Sequence, residues 1–150
     1  MNTFAPVSSL MTTKLVTVNP EDSLLVVKKI FDEHSFHHLP VVRFKTLVGI
    51  ISKTDFTHFM GGMSEASEDQ FVNESKMGST HAEAIMTTGL GKLEPDDRIN
   101  VALEVFSRNW FHALPVIDNG ELVGIITTQD VIRAILDEKP DQPHMVYDQK

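Results

Sequence analysis

Apolar residues follow two periodicities along the chain, and these predict helices that alternate with buried strands. Four apolar residues at three- and four-residue spacing form one face of a predicted helix: Leu24, Val27, Ile30 and Phe31. A second predicted helix has the same kind of face: Ile99, Ala102, Leu103 and Phe106. The segments 39–42 and 46–51 are almost continuously apolar and rich in valine and isoleucine, which is typical of strands buried on both faces.

The whole pattern occurs twice, and the second copy lies 75 residues after the first. Residues 11–55 align with 86–130 without a gap, and 19 of the 45 positions are identical. A repeat of this kind predicts two copies of one supersecondary unit. Each copy has about 55 residues, a size at which a lone unit is marginally stable, so we expect the two copies to share a core.

Each copy predicts the same order of elements: a short strand, a helix, two strands and a closing helix. The short strand covers 14–18 in the first copy and 90–93 in the second. The closing helix begins around 54–56 in the first copy and around 128–131 in the second, where valine and isoleucine form an apolar side.

The connections carry the residues that helix starts and turns require. Proline and acidic residues at 19–22 and 94–97 are typical of a helix start, because carboxylates stabilise the positive end of the helix dipole. Asn-Gly within 118–121 predicts a tight hairpin. The matching turn at 43–46 lacks glycine, so we expect a looser turn with Phe44 exposed at its tip, either as a stray aromatic or as a partner contact.

The predicted organisation is two repeats, at 7–60 and 82–137, joined by a linker at 61–81. The linker holds two adjacent glycines, several serines and four acids, so it is either mobile or a helical extension around Phe71-Val72. We expect residues 138–150 to form a flexible tail.

Composition limits the class of function. The chain has no cysteine, which excludes a disulfide framework and thiolate metal sites. A net charge of −8 disfavours nucleic acid as a partner, because phosphate-backbone binding needs clustered lysine and arginine. The sequence has neither a signal-peptide pattern nor an apolar run long enough to cross a membrane. We therefore expect a cytoplasmic protein without membrane or nucleic-acid contacts.

Two motifs define the repeat: His-x-Leu-Pro-Val from positions 37 and 112, and Leu-Val-Gly-Ile-Ile-[Ser/Thr]-x-x-Asp from positions 47 and 122. With the order of elements given twice, they make the chain resemble the CBS domain pair, or Bateman module, over about residues 7–136. The resemblance implies a mixed α/β (α+β) fold in which two β-α-β-β-α repeats pack through their sheets about a pseudo-twofold axis. It also implies two clefts for adenine nucleotides (AMP, ADP or ATP), a regulatory role, and a homodimer.

Asp55 and Asp130 stand where a buried strand gives way to a helix. A carboxylate there can accept hydrogen bonds from both hydroxyls of a ribose. The hydroxyls of Ser52, Thr54 and Thr127, with the backbone N–H groups of the helix start, offer a phosphate cradle. The alternative for both aspartates is a cap or a first-turn acid without a ligand.

Basic residues stand near the same helix starts. By the resemblance, His37 and His112 occupy a position that carries a phosphate-facing basic side chain in some family members, and a histidine binds phosphate better when protonated. The alternative is a histidine packed under the strand. Lys53 is either a donor to a polyphosphate or an exposed lysine. We expect no metal at His34 and its neighbours, because adjacent strand residues point to opposite faces.

The resemblance further implies that the first strands cross over, so that each cleft draws on both repeats. The stretches 11–15, with Leu15, and 86–90 are then expected to hold the adenine ring. One cleft is expected to combine Thr12 and Thr13 with His112, Thr127 and Asp130. The other is expected to combine Thr87 and Thr88 with His37, Ser52, Lys53, Thr54 and Asp55.

The leading hypothesis is a stand-alone module that senses adenine nucleotides and regulates an unidentified protein. The alternative is a structural or oligomerisation module whose clefts are empty or degenerate. An enzyme is disfavoured, because the sequence spells out no nucleophile–base constellation and no glycine-rich P-loop. No cofactor is required by either hypothesis.

Overall fold

The computed structural model describes residues 1–61, 70–109 and 111–138. In chain order the elements are α1 (Leu24–Glu33), β1 (His38–Arg43), β2 (Thr46–Ser52), α2 (Lys53–Gly61), α3 (Gln70–Ser79), α4 (Ile99–Arg108), β3 (Ala113–Asp118), β4 (Glu121–Thr127) and α5 (Thr128–Asp137). Short 3-10 turns at Val7–Ser9 and Ala82–Ala84 begin the two repeats. The mixed helix-and-strand fold predicted from the periodicity is confirmed.

Each repeat contains one antiparallel hairpin, β1–β2 or β3–β4. The two hairpins have the same register, with an irregularity between Val41 and Val42 and again between Val116 and Ile117. A single residue, Val18 or Leu93, pairs in parallel with the first strand of each hairpin. The strands predicted at 14–18 and 90–93 are therefore too long, because only one residue of each segment makes this bridge.

The segment at the start of each repeat pairs with the hairpin of the other repeat. Thr12 exchanges two backbone hydrogen bonds with Ile125, at 2.8 and 3.0 Å, and Thr87 exchanges two with Ile50, at the same distances. Thr12 and Thr87 are 75 positions apart, as are Ile50 and Ile125. Reciprocal pairs of this kind are the signature of a twofold relation between the repeats. The crossover implied by the family resemblance is therefore present.

Glycine in the Leu-Val-Gly-Ile-Ile motif makes room for this crossover. A Cβ atom on Gly49 would lie 2.6 Å from Met86 Sδ and 3.0 Å from the carbonyl oxygen of Thr87. A Cβ atom on Gly124 would lie 2.5 Å from Met11 Sδ. A glycine inside a strand often marks the close approach of another segment, and here the crossing segment lies directly against the sheet.

The core is divided into a cluster within each repeat and a third cluster between the two hairpins. The predicted apolar faces of α1 and α4 are buried at Leu24, Val27, Phe31, Ile99 and Ala102, as predicted. The third cluster is formed by Ile50, Ala113 and Ile125, with Leu15, Leu47 and Leu90 packed against it. Sheet-to-sheet packing therefore joins the repeats.

The predicted helix starts at 19–22 and 94–97 are wrong, because α1 and α4 begin later, at Leu24 and Ile99. The Asp22 carboxylate accepts a hydrogen bond from the Asn19 N–H at 2.8 Å, and Asp97 does the same for Glu94 at 2.7 Å. Each aspartate thus closes a turn of its own instead of entering the first turn of a helix.

The hairpin turn at 43–46 is as short as the turn at 118–121, so the predicted looser turn is wrong. Both connections have two residues between the paired strand ends. Phe44 adopts a left-handed conformation with φ 49°, close to the φ of 50° at Asn119. The side chain of Phe44 is 91% exposed, as predicted for a turn tip.

Between the repeats, Gln70–Ser79 forms α3, which packs against α1 and follows the helical alternative for this segment. Residues 62–69 of the predicted linker and the predicted tail beyond residue 138 lie outside the described residues. Within the described ranges, no helix is both long and apolar enough to span a membrane.

Candidate functional site

Each closing helix begins with a reciprocal cap between its aspartate and the last residue of the preceding strand. The Ser52 N–H donates to Asp55 Oδ2 at 3.1 Å, and the Asp55 N–H donates to Ser52 Oγ at 2.9 Å. Thr127 and Asp130 repeat the arrangement at 2.8 and 3.1 Å. This capping box satisfies backbone donors at the helix start and holds both carboxylates in place.

A threonine from the opposite repeat faces each carboxylate. Thr12 Oγ1 lies 3.4 Å from Asp130 Oδ1, and Thr87 Oγ1 lies 3.3 Å from Asp55 Oδ2. These distances are long for O–H···O hydrogen bonds, so each threonine is a weak partner that a better donor can displace. The structure thus brings together the aspartate of one repeat and the crossing segment of the other, in both copies.

The two carboxylates make different hydrogen bonds in the two repeats. Asp130 accepts the Thr127 N–H and hydroxyl with Oδ2 and faces Thr12 with Oδ1. Asp55 uses one atom, Oδ2, for both Ser52 and Thr87. Both aspartates therefore cap the helices that they begin. A carboxylate has about four lone-pair sites, so each one can still accept hydrogen bonds from a ligand.

The hydroxyls predicted to cradle phosphate divide into two groups. Ser52 and Thr127 are half-buried, and their oxygens accept the cap hydrogen bonds from Asp55 and Asp130. Thr54 is exposed on the first turn of α2. Only Thr54 thus keeps its hydroxyl outside the cap.

His37 and His112 are exposed, so neither is packed under its strand. Each joins the start of the closing helix through its backbone: the His37 carbonyl accepts from the Lys53 N–H at 2.7 Å, and the His112 carbonyl accepts from Thr128 at 3.0 Å. Lys53 is exposed as well. Both histidines therefore border the helix start that carries the aspartate.

Thr13 and Thr88 are exposed beside Thr12 and Thr87, whereas Leu15 is half-buried. Leu15 packs on the cluster between the hairpins, so its side chain contributes to the contact between the repeats. The predicted adenine-holding stretch is thus partly committed to packing.

His38 has no histidine counterpart in the second repeat, where Ala113 is buried. Burial lowers the pKa of His38 to about 4, helped by the nearby His112 and His37 and opposed by Asp55. These interactions place three histidines and Asp55 in one neighbourhood that draws on both repeats. Among the residues that the structure describes, no group of three acidic or histidine side chains could hold a metal ion.

A surface groove of about 810 Å³ lies along α2, next to Asp55. Its lining combines three predicted site residues with three that the sequence reasoning missed: His37, Lys53, Thr54, Thr57, His58 and Gly61. Helical spacing could have indicated two of the missed residues. Thr57 and His58 stand four residues after Lys53 and Thr54, so they lie on the same face of the helix.

The sequence matches the family model of the CBS domain over residues 7–62 and again over 82–137. The chain belongs to the CBS domain family. Its two repeats form the CBS pair fold, since its structural neighbours are CBS-pair proteins.

Three solved CBS proteins resemble this chain at low identity. Protein MJ1225 of Methanocaldococcus jannaschii is 31% identical over 124 residues, and its crystal structure superposes with a TM-score of 0.75 over 90% of this chain. The match covers 44% of the MJ1225 sequence and 49% of its structure, so this chain spans about half of that protein.

Two shorter relatives are matched over nearly their full lengths. CBSX2 of Arabidopsis thaliana, solved in complex with AMP, has 26% identity and a TM-score of 0.71, covering 88% of this chain and 96% of that one. The CBS domain pair of protein MJ0100, solved with 5′-methylthioadenosine and S-adenosyl-L-methionine, has 25% identity and a TM-score of 0.71, covering 91% and 99%.

Proposed function

We propose that this CBS pair is a regulatory module that binds adenine nucleotides, of the AMP, ADP and ATP class, in its two clefts. One cleft is centred on Asp55 and Thr87, and the other on Asp130 and Thr12. In each, the carboxylate accepts hydrogen bonds from the ribose hydroxyls, and the helix start and the neighbouring histidine receive the phosphate.

The observation that carries this proposal is the threonine that faces each aspartate across the repeats, at 3.3 and 3.4 Å. A ligand seated there contacts both repeats at once, so its binding energy acts on their relative position. A ligand shifts such an equilibrium only by its differential affinity for the two arrangements. A cleft built from both repeats is suited to regulation for this reason.

Relatives support the class of ligand. CBSX2 is described with AMP, and the MJ0100 pair with two other adenosine compounds. All three ligands share an adenosine moiety, and the ribose is the part that a carboxylate recognises best. We carry the adenosine moiety over to this chain. We add a phosphate because His37 and His112 border the helix start that carries each aspartate.

Thermal unfolding tests the proposal. A nucleotide at a hundred times its dissociation constant should stabilise the fold by about 2.7 kcal/mol, which raises the Tm by about 5–10 °C. Asp55→Asn and Asp130→Asn should each reduce the shift, and the double variant should abolish it. Asp137→Asn, at an exposed carboxylate of α5, is the matched control. Absence of any shift with AMP, ADP, ATP or S-adenosylmethionine would refute the proposal.

We further propose that the chain forms a homodimer through α5. This helix exposes three apolar side chains, Ile132, Ile135 and Leu136, with 49, 54 and 75% of their surfaces accessible. Leu136→Asp should then dissociate the dimer in light scattering, whereas Val101→Asp, at an exposed apolar position of α4, should not. A dimer that binds none of the four compounds would favour the alternative, a structural module with empty clefts.

A further inference from the structure

The groove along α2 differs from the Asp55 cleft in its chemistry. All of its titratable lining residues are basic: His37, Lys53 and His58. Its remaining lining residues are small or hydroxyl-bearing: Thr54, Thr57 and Gly61. Lysine and histidine donors beside two hydroxyls match an anion with several oxygens, and its volume of about 810 Å³ lies in the range of small-molecule sites.

The groove is elongated along the helix. Its lining residues recur at the start of α2 and one and two turns later, and Lys53 and Gly61 are separated by about 12 Å at a rise of about 1.5 Å per residue. A single phosphate contacts one end of such a surface. A chain of linked phosphates contacts its whole length, so the shape favours a polyphosphate.

The groove and Asp55 share the first turn of α2. Lys53 and Thr54 line the groove, and the next residue, Asp55, faces Thr87 on the adjacent side of the helix. A ribose held by Asp55 therefore has its phosphates within reach of the first turn of α2. His37 borders both regions, because its carbonyl accepts the Lys53 N–H.

The second repeat lacks the same lining. At the positions of Lys53, Thr57 and Gly61 it has Thr128, Ile132 and Leu136, two of which are apolar. Arg133 replaces His58 and His112 matches His37, so two of the three basic residues remain, and the missing one is the lysine at the start of the helix. A polyphosphate along α5 would therefore meet isoleucine and leucine where α2 has a threonine and a glycine, and it would find no cation at the first position of the helix.

We infer that the Asp55 cleft is the polyphosphate-selective site of this protein, because the α2 groove takes the terminal phosphates of ADP or ATP. The inference rests on the proposed function, in which Asp55 holds the ribose. Lys53 and His58 contact the β- and γ-phosphates, which AMP lacks. The Asp130 cleft lacks this preference.

The test isolates the Asp55 cleft in an Asp130→Asn background and titrates it with AMP, ADP and ATP by calorimetry. ATP should bind at least about tenfold more tightly than AMP, the factor given by about 1.4 kcal/mol. Lys53→Gln with His58→Gln should remove most of this advantage and change the AMP affinity by less than about twofold. Lys45→Gln, at an exposed lysine outside the groove, should leave all three affinities unchanged.

Two other results distinguish a failure of the groove assignment from a failure of the proposed nucleotide binding. Equal affinities for AMP and ATP, or an equal loss of both in the Lys53→Gln, His58→Gln variant, would overturn the groove assignment and leave nucleotide binding standing. Binding of no nucleotide to the wild-type chain would overturn the proposed function, and the groove assignment with it.

Discussion

The close contact at Gly49 predicts an unequal response of the two repeats to the same substitution. In Gly49→Ala the new methyl group would lie 2.6 Å from Met86 Sδ and 3.0 Å from the Thr87 carbonyl oxygen. The methionine side chain can turn away, but the carbonyl belongs to the backbone. In Gly124→Ala the three nearest atoms all belong to the flexible side chain of Met11. We therefore expect the crossover to be disturbed at Gly49 alone.

The magnitude follows from the hydrogen bonds at risk. Moving Thr87 breaks its two backbone hydrogen bonds with Ile50, at 2.8 and 3.0 Å. Each contributes about 1 kcal/mol, and alanine recovers about 0.5–1 kcal/mol because it restricts the unfolded chain more than glycine does. Gly49→Ala should thus cost about 1–1.5 kcal/mol. In Gly124→Ala, moving the Met11 side chain costs roughly what the unfolded-chain term recovers, so stability should change by less than about 0.5 kcal/mol.

Urea and thermal unfolding of the two variants measure this difference. We expect the Tm to fall by about 2–6 °C in Gly49→Ala and to stay within about 2 °C in Gly124→Ala. Gly49→Ala should also weaken any ligand held by Asp55 and Thr87. The reasoning would be refuted if Gly124→Ala proved as destabilising as Gly49→Ala, or if neither substitution had an effect.

Two further predictions concern residues that differ between the repeats. Phe44→Asn, which copies Asn119, should raise the Tm by about 1–3 °C because asparagine tolerates the φ of 49° better than phenylalanine; an unchanged or lower Tm would contradict this. The pKa of about 4 at His38 lies below the value of 6.5 for the unfolded chain, so the folded state binds fewer protons and loses stability as the pH falls between these values. His38→Ala, which copies Ala113, should lose less stability against urea than wild type when the pH falls from about 7 to about 5. The control His34→Ala, at an exposed histidine, should lose as much as wild type.

The sequence was sufficient for the elements whose residues interact locally. The apolar faces of α1 and α4 follow helical periodicity, and the valine-rich hairpins follow strand patterning, so their positions were predicted within a few residues. The repeat also predicted that every feature would occur in two copies, including the aspartate at the start of each closing helix.

Features that depend on long-range pairing were predicted less well. The same proline and acidic residues can begin a helix or close a turn, and the Leu24 N–H is bonded to the Thr80 carbonyl at 3.0 Å, a contact between distant segments. The strand predicted at 14–18 is bridged only at Val18. In both cases a partner far along the chain decides the local structure, and a local pattern carries no information about that partner.

The residues of the candidate site that belong to the repeated motif were predicted, and the residues around them were not. Asp55 and Asp130 stand in the repeated motif, whereas Thr57 and His58 belong to no motif and become part of a groove only because α2 presents them beside Lys53. The crossing segments came from the family resemblance. Residue spacing alone did not indicate that Thr12 would face Asp130, because 118 residues separate them.

The central claim is that both clefts bind an adenine nucleotide between the repeats, and amide chemical shifts recorded by NMR during an AMP titration test it most directly. We expect saturable changes in two groups of amides, one around Asp55 and Thr87 and the other around Asp130 and Thr12. Asp55→Asn should abolish the first group and leave the second. Shifts confined to other surfaces, or no shifts at millimolar AMP, would contradict the account.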